Sequence, residues 1–335
     1  MHVYEIRDGF GFDNLRRVER PVPAPGPGQV LVKVRAASLN YRDLLVVKGL
    51  YNPKMPLPRV PLSDAAGVVE AVGPGVTRVK VGQRVAGIFM QTWLDGEVDD
   101  AKGRSALGGG IDGVLAEYVV FEENGVVMVP EHLSDEEAAT LPCAAVTAWH
   151  ALVSAGGLKA GDTVLIQGTG GVSLFALQFA KLLGARVLGT SSSDAKLERA
   201  RSLGLADGVN YRANPEWGEA IRKLAGGGGV DHVVEVGGAG TLPQSLRAVR
   251  LSGRISLIGV LSGGSQFNPM PVLMKNVCVQ GIFVGSRTMF DAMNRAIALH
   301  KLRPVVDRVF PFADAVAALK HLESATHFGK VVIAL

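Results

Sequence analysis

The segment TVLIQGTGGVS, residues 163–173, decides the fold class of this 335-residue chain. Its first half is a continuous apolar run, which is typical of a strand buried in a parallel sheet. Its second half is a glycine-rich turn that leads into residues 172–183, where the apolar pattern predicts a helix. A strand, a glycine turn and a helix in this order form the phosphate-binding unit of dinucleotide-binding folds.

The residues of this turn have distinct expected roles. Gly168 permits the tight turn, and Gly170 lets the backbone approach a pyrophosphate. The helix that starts near Gly171 offers unpaired N–H groups and the positive end of its dipole to the anion. Ser173 holds the third fingerprint position in place of glycine, and its small side chain still permits close packing. We therefore predict cofactor contacts at Gly168, Thr169, Gly170, Gly171 and Val172. A structural turn without a ligand is the alternative.

Strands and helices alternate from residue 134 onward. The motif Ser134 to Glu137 has the capping-box spacing that starts a helix. After the glycine turn, predicted strands at 186–190, 231–236 and 254–258 alternate with predicted helices at 194–203 and 241–249. Such alternation indicates right-handed crossovers, so the class is α/β with a doubly wound parallel sheet.

The first part of the chain is β-rich instead. Residues 29–35 alternate apolar and polar side chains, as a half-buried strand does, and 66–75, 82–87 and 116–120 are further predicted strands. Residues 91–113 are polar and glycine-rich without clear periodicity, which favours a functional or mobile loop. Near the end, strands are predicted at 277–284, 305–310 and 330–335. We place one domain over 1–125 and 285–335 and the nucleotide-binding domain over 126–284.

Charge and cysteine content exclude several classes of function. The chain has 35 Lys and Arg against 31 Asp and Glu, and no run of about five basic residues that a nucleic-acid or anionic-membrane surface needs. Its two cysteines cannot form a disulfide framework or a four-thiolate zinc lobe. No apolar stretch is long enough to span a bilayer, and the start lacks the apolar core of a signal peptide. We expect a cytoplasmic protein with a small-molecule substrate.

The end of the predicted strand at 186–190, the second strand of the nucleotide-binding domain, favours NADP(H) over NAD(H). An NAD fingerprint carries Asp or Glu there to bind the ribose 2′-OH. Residues 189–193 read GTSSS instead, and serine hydroxyls can donate to a 2′-phosphate that a carboxylate would repel. The expected contacts on this side are Ser191, Ser192, Lys196 and Tyr211. The alternative is that the serines cap the helix that begins near Asp194.

This order of elements resembles the medium-chain dehydrogenase/reductase superfamily over essentially the whole chain. The specific marks are AAGVVEAVG at 65–73, GQRV at 82–85, LPCAAVTA at 141–148 and the glycine turn. The resemblance implies a GroES-like β-rich catalytic domain, a Rossmann domain and NAD(P)H-dependent oxidoreductase activity.

Within that superfamily, the sequence is similar to the zinc-free quinone oxidoreductase and enoyl reductase branch. Asn40 stands at the position of one zinc-ligand cysteine, and Ser63 stands at the position of the histidine. Only Cys143 matches a ligand position, whereas catalytic zinc needs about three protein ligands. The stretch NYRD at 40–43 resembles members that pass hydride from NADPH to a quinone or to an alkene conjugated to a carbonyl. The resemblance therefore implies no zinc.

The resemblance also implies roles for individual residues. Tyr41 is the candidate acid or oxyanion donor, with a packed aromatic as the alternative, and Asn40 is a candidate to polarise the substrate carbonyl. Lys330 is a candidate contact of the nucleotide phosphate. The nicotinamide side is expected at Thr147, Gly237, Gly259, Val260, Phe283 and Val284.

Three further expectations complete the sequence-based hypothesis. The apolar strand near 277–284 lies at a sheet edge, which favours a homodimer through that edge. An alcohol dehydrogenase or carbonyl reductase of the zinc type is the principal alternative function. A non-catalytic nucleotide-sensing or RNA-binding protein is a remote one.

Overall fold

The computed structural model of the chain describes residues 1–259, 261 and 268–335. The chain divides into two compact units. The first unit comprises Met1–Val146 and Gly285–Leu335, and the second comprises Thr147–Val284. The first boundary lies after residue 146 and not at the predicted residue 126, because Val126–Met128 is a strand that pairs with Arg84–Gly87 of the first unit.

The strands and helices are numbered here in chain order. The strands are β1 (His2–Ile6), β2 (Leu15–Glu19), β3 (Gln29–Ser38), β4 (Asp64–Val72), β5 (Arg84–Gly87), β6 (Tyr118–Glu122), β7 (Val126–Met128), β8 (Thr163–Gln167), β9 (Arg186–Ser191), β10 (Asp207–Asn210), β11 (Val230–Glu235), β12 (Val249–Leu257), β13 (Cys278–Gly281), β14 (Val306–Pro311) and β15 (Lys330–Ala334). The α-helices are α1 (Tyr41–Val47), α2 (Asp100–Arg104), α3 (Asp135–Ala139), α4 (Val146–Trp149), α5 (Gly171–Leu182), α6 (Asp194–Ser202), α7 (Trp217–Leu224), α8 (Leu242–Ala248), α9 (Met270–Met274), α10 (Arg287–His300) and α11 (Ala315–Glu323). Leu141–Ala145 and His150–Ser154 are π-helical.

The first unit is built on a mostly antiparallel sheet in the order β14-β15-β3-β4-β5-β7, with β6 also pairing with β3. The long strand β3 is central because it pairs with β4, β6 and β15. Its alternating valines face a core that also contains side chains from α1 and α11. In the antiparallel register of β15 and β3, Val332 pairs with Ser38, which brings the start of β15 next to the segment that follows β3.

The second unit holds a parallel sheet in the order β10-β9-β8-β11-β12-β13. Chain order runs outward in both directions from β8, so the direction of winding reverses between β8 and β11. In open sheets of this kind, ligands bind at the carboxyl ends of the strands that flank the reversal. The predicted GroES-like and Rossmann fold class is confirmed.

The structure confirms some local predictions and corrects others. The capping box is present, since Ser134 Oγ accepts from the Glu137 N–H at 3.2 Å and the Glu137 carboxylate accepts from the Ser134 N–H at 2.9 Å. The strand predicted at 277–284 is shorter in the structure, where β13 spans only Cys278–Gly281. The predicted loop at 91–113 contains the helix α2, and the hairpin of β1 and β2 was not predicted.

Among the residues that the structure describes, no helix combines the length and the apolar character needed to cross a bilayer.

Candidate functional site

The glycine turn of the second unit lies between β8 and α5. Gly168 has a φ of 67°, a conformation that favours glycine, and its N–H donates to Thr190 O at 2.7 Å. A Cβ added at Gly168 or Gly170 would meet no heavy atom within 4 Å. Gly170 is the N-cap of α5, where within the described chain no side chain caps the helix start. The turn therefore presents open backbone and the unpaired N–H groups of a helix start, which fits an anionic ligand.

The serine at the third fingerprint position has a packing role. Ser173 is buried, and its Oγ donates to Gln167 O at 2.6 Å. This bond ties the first turn of α5 to the last residue of β8. A larger side chain would separate the two elements, so serine meets the requirement for a small residue.

A buried carboxylate that was not predicted organises the adjacent strand end. Glu235, the last residue of β11, is fully buried and accepts from Gln167 Nε2 at 2.7 Å and from the N–H groups of Gly237 and Gly238 at 2.8 and 3.0 Å. The hydroxyls of Thr241 and Ser245 also donate to it. This network fixes the loop after β11 beside β8. Its only sequence signal is a glutamate that ends an apolar strand.

The predicted glycines of the second unit differ in their surroundings. A Cβ at Gly237 would lie 2.2 Å from Thr241 Oγ1, and one at Gly259 would lie 2.1 Å from Val236 O. At both positions a larger side chain would collide with protein atoms, whereas the space beside Gly168 and Gly170 is open. Val260 lies outside the described residues.

The end of β9 brings together several of the residues predicted to select the nucleotide. Tyr211 N–H donates to Ser191 O at 3.0 Å. Ser191 is buried, Ser192 is half-buried, and Ser193 caps α6 by accepting from Lys196 N–H at 3.3 Å. Helix capping, the alternative role for these serines, is thus present at Ser193. The nearest carboxylate in sequence is Asp194, which accepts from Asn210 Nδ2 at 3.1 Å.

The remaining predicted nicotinamide contacts lie at the two ends of the second unit. Thr147 is buried and Phe283 is 45% exposed. Val284 has a φ of 45°, which is strained for a β-branched residue, and its carbonyl accepts from His150 Nδ1 at 2.8 Å. Burial lowers the pKa of His150, so the imidazole is neutral at physiological pH and the Nδ1–H tautomer makes this bond.

The first unit contains a separate group of interacting polar side chains, which we call the buried polar cluster: Asn40, Asp43, Ser63, Asp64, Cys143 and Lys330. Lys330 Nζ donates to Leu39 O and to Asn40 Oδ1, both at 2.6 Å. Asp64 accepts from Ser63 Oγ at 2.6 Å and from the Cys143 N–H at 3.1 Å. Lys330 was predicted to contact the nucleotide phosphate. The structure instead places it inside the first unit, 3% exposed, with its ammonium bonded to these acceptors.

Burial dominates the electrostatics of this cluster. Both carboxyl groups are fully inaccessible, and desolvation raises the pKa of Asp64 and raises that of Asp43 to about 6. The Lys330 ammonium opposes both shifts, and so does the Arg42 guanidinium at Asp43. Burial, followed by the charge of Asp64, raises the pKa of the Cys143 thiol, which is therefore protonated at neutral pH.

The predicted catalytic residues lie at the edge of this cluster. Asn40 is the N-cap of α1 and is 9% exposed, and its main-chain N–H donates to Asp43 Oδ2 at 2.8 Å. Tyr41 is the first residue of α1 and is 46% exposed. Arg42 donates to Leu107 O at 2.7 Å and lies over the Tyr51 ring, which is a structural role.

The donor set of the cluster does not fit zinc. In the described part of the chain, no group of three His, Cys, Asp or Glu side chains is placed to hold a metal ion. Both oxygens of Asp64 already accept hydrogen bonds, and Cys143 is the single cysteine of the cluster, which contains no histidine. Lys330 adds a buried positive charge that would repel a cation.

Comparison with known proteins identifies two matching family models. Residues 26–131 match the alcohol dehydrogenase GroES-like domain, and residues 171–299 match the zinc-binding dehydrogenase family. The chain is 47% identical to a zinc-type alcohol dehydrogenase-like protein of Schizosaccharomyces pombe, with 98% of each chain covered. It is 32% identical to a quinone oxidoreductase of Sus scrofa, with 97% of this chain and 95% of the relative covered.

Two solved structures extend the comparison over the full length of both chains. An NAD-dependent alcohol dehydrogenase is 36% identical with a TM-score of 0.92. A mycobacterial protein in complex with NADPH is 30% identical with a TM-score of 0.84.

Proposed function

The chain belongs to the medium-chain dehydrogenase/reductase superfamily, and from that premise we propose that it is a zinc-independent, NADPH-dependent reductase of quinones or of alkenes conjugated to a carbonyl group. The observation that carries this proposal is the composition of the buried polar cluster. Its carboxylates accept hydrogen bonds from protein donors, its ammonium would repel a cation, and among the described residues no three His, Cys, Asp or Glu side chains are placed to hold a metal ion.

The second unit supplies the nucleotide site in this proposal. The open glycine turn holds the pyrophosphate through main-chain N–H groups, and Ser192 and Lys196 contact the 2′-phosphate beside Tyr211. Thr147, Phe283 and Val284 belong to the nicotinamide side. When bound, NADPH supplies the hydride that reduces the substrate. The protein contributes orientation and exclusion of water.

The first unit supplies the groups that act on the substrate. As hydride reaches the β-carbon of an enone, negative charge accumulates on the carbonyl oxygen. A donor aimed at that oxygen lowers the barrier, and the Asn40 amide and the Tyr41 hydroxyl are the donors that we assign to it. The Tyr41 hydroxyl, at 46% exposure, is accessible to solvent and can pass a proton to the product and recover it from water.

Purified protein tests the proposal directly. NADPH oxidation is followed with a panel of quinones, enones and acrylyl thioesters, before and after dialysis against a chelator, while metal content is measured by elemental analysis. We expect turnover with at least one member of the panel. The rate should be unchanged by dialysis, and the protein should not contain stoichiometric zinc. Loss of activity on dialysis together with stoichiometric zinc would reject it.

A zinc-type alcohol dehydrogenase is the second candidate. The name of the Schizosaccharomyces pombe relative at 47% identity favours it, and so does the name of the zinc-binding dehydrogenase family. The discriminating measurement is oxidation of primary and secondary alcohols with NAD⁺ and added zinc, which we expect to be negligible.

We also propose a homodimer that forms through the edge strand β13. Leu251, Leu273 and Met274 are between 63% and 72% exposed in the second unit, and β13 is the last strand of its sheet. Light scattering of the purified chain is expected to give the mass of a dimer, and a monomer at micromolar concentration would contradict this.

A further inference from the structure

The residue directly before the glycine turn connects that turn to the neighbouring strand end. Gln167 is the last residue of β8, and its side chain is buried. The parallel pairing of β11 with β8 places Glu235 beside it, and Gln167 Nε2 donates to Glu235 Oε2 at 2.7 Å. Gln167 Oε1 accepts from the main-chain N–H groups of Val236 and Gly237, at 3.2 Å each. One side chain therefore joins β8 to the end of β11 and to the loop that follows it.

The main chain of Gln167 is bonded to the far side of the turn. Its carbonyl accepts from Ser173 Oγ at 2.6 Å, and Ser173 lies in the first turn of α5. The N–H of the next residue, Gly168, donates to Thr190 O at 2.7 Å. The position of Gln167 is therefore linked to both ends of the turn, and the space next to Gly168 and Gly170 between them is open.

Glu235 determines which way the Gln167 amide faces. Besides Gln167, its carboxylate accepts from donors in the following loop and in α8: Gly237 N–H, Gly238 N–H, Thr241 Oγ1 and Ser245 Oγ. A carboxylate has acceptors and no donor, so it bonds the NH₂ group of Gln167. The amide oxygen is thereby directed to the N–H groups of the loop.

The surrounding groups oppose the other orientation of this amide. Rotated by half a turn, the Gln167 NH₂ group would face the N–H groups of Val236 and Gly237, and its oxygen would face the Glu235 carboxylate. Both contacts would be repulsive, since one pairs donors and the other pairs acceptors. Because Gln167 and Glu235 are buried, water does not offset such contacts, and unpaired polar groups are costly there.

We propose that Glu235, acting through Gln167, is a positioning residue for the glycine turn and thereby for the pyrophosphate of the nucleotide. This inference rests on the proposed function, in which main-chain N–H groups of the turn hold that pyrophosphate. Glu235 is fully buried and acts without touching the nucleotide, whereas the space beside Gly168 and Gly170 is open to it. A turn that is already fixed loses less conformational entropy when the anion binds.

An exchange of the two side chains tests the inference. In Glu235→Gln, an NH₂ group can face the NH₂ group of Gln167, and neither orientation of Gln167 then suits all its neighbours. In the double variant Gln167→Glu with Glu235→Gln, a carboxylate at position 167 accepts from the amide at 235 and from the loop N–H groups. We expect each single variant to raise the dissociation constant of NADPH about tenfold. The double variant should return to within about threefold of the unmodified protein.

A fragment of the nucleotide separates positioning of the turn from general loosening of the second unit. Adenosine 2′-monophosphate carries the 2′-phosphate but no pyrophosphate, so its dissociation constant should change by less than about twofold in every variant. Thr241→Val is the matched control, because it removes a hydrogen bond to Glu235 on the oxygen that does not contact Gln167. It should change the NADPH dissociation constant by less than about twofold. Isothermal titration calorimetry measures both ligands.

The outcomes distinguish this inference from the proposed function. A double variant whose loss equals the product of the two single losses would overturn the inference. So would equal losses of affinity for NADPH and adenosine 2′-monophosphate, or a loss in Thr241→Val as large as that in Glu235→Gln. If the unmodified protein binds NADPH but reduces no acceptor, only the proposed reaction is rejected. If it does not bind NADPH, the proposed nucleotide site and the inference are rejected together.

If Glu235→Gln or Gln167→Glu does not fold, Gln167→Met provides the test, because methionine is of similar length, flexible and uncharged. It removes the hydrogen bonds to Glu235, Val236 and Gly237. We expect the dissociation constant of NADPH to rise about fivefold or more, with that of adenosine 2′-monophosphate unchanged. Unchanged NADPH affinity in Gln167→Met would overturn the inference.

Discussion

The glycine turn and the buried polar cluster differ in how they arrange their polar groups. The turn is one contiguous segment from β8 to α5, and it uses main-chain N–H groups next to open space. The cluster draws on residues from four separate segments of the chain, around 40, 64, 143 and 330, and its carboxyl groups are fully buried. In the proposed function the turn binds a charge from outside, whereas the cluster neutralises charges that it contains.

The two regions should therefore respond differently to substitution. Changes at Gly170 of the turn should alter ligand binding and leave the free energy of unfolding almost unchanged, since a side chain added there meets no protein atom within 4 Å. Changes in the cluster should alter stability first, because any charge left without its partner is buried. The following predictions test this contrast.

Asp64→Ala should have the largest effect on stability. It removes the carboxylate that faces Lys330 and leaves the Ser63 hydroxyl and the Cys143 N–H without their acceptor. We expect a loss of about 3 to 5 kcal/mol in the free energy of unfolding at pH 8, as for other broken buried charge pairs. Urea unfolding followed by circular dichroism measures it. Ser63→Ala is the control, with an expected loss of about 1 kcal/mol. Equal losses for both variants would show that the charge of Asp64 contributes nothing.

Asp43→Asn should change how stability depends on pH. Burial raises the pKa of Asp43 from its ordinary 3.8 to about 6, so the folded chain binds this proton more tightly than the unfolded chain. The stabilisation from the proton is complete below about pH 4 and is lost as pH rises through about 6, and over this window it amounts to about 3 kcal/mol. Relative to Asp43→Asn, the unmodified protein should lose that amount between pH 4 and 7. Parallel stability curves for the two proteins would contradict the shift.

The contrast also explains which parts of the structure could be predicted. Residues that act together in the turn are adjacent in sequence, so spacing and residue type were sufficient for β8, the turn and α5. The buried position of Lys330 could not be predicted in the same way. Its contact with Asn40 depends on the register between β15 and β3, which are separated by almost the whole chain. The sequence shows both strands but not their pairing.

Glu235 shows a similar limit inside the second unit. Its carboxylate receives hydrogen bonds from β8, from its own loop and from α8, and only the pairing of β11 with β8 brings these together. Likewise, the boundary near 126 was misplaced because the pairing of β7 with β5 cannot be seen in composition. Side-chain clusters assembled by sheet register are thus the part of a site that a single sequence conceals.

Gly170→Ala should affect binding without affecting stability. The added Cβ meets no protein atom within 4 Å, and the backbone at this position has an ordinary negative φ of −79°. We expect the free energy of unfolding to change by less than about 0.5 kcal/mol. The dissociation constant for NADPH should rise about tenfold, because the methyl group occupies space that the pyrophosphate needs. Gly228→Ala is the matched control, since its Cβ is also unobstructed. Unchanged NADPH affinity in Gly170→Ala would place the phosphate elsewhere.

Ser192→Asp should have the smallest effect, and it is specific to one nucleotide. Ser192 is half-buried just after β9, where a carboxylate would face a 2′-phosphate but could accept from a ribose 2′-OH. We expect affinity for NADPH to fall about fivefold to tenfold at low salt, and less at higher ionic strength because the repulsion is screened. Affinity for NADH should stay within about twofold or improve. Ser192→Ala, which removes only the hydroxyl, should weaken NADPH binding by about threefold and leave NADH binding unchanged. Equal weakening of both nucleotides by Ser192→Asp would mean that this strand end does not distinguish them, and Asp194 would then become the candidate for the ribose contact.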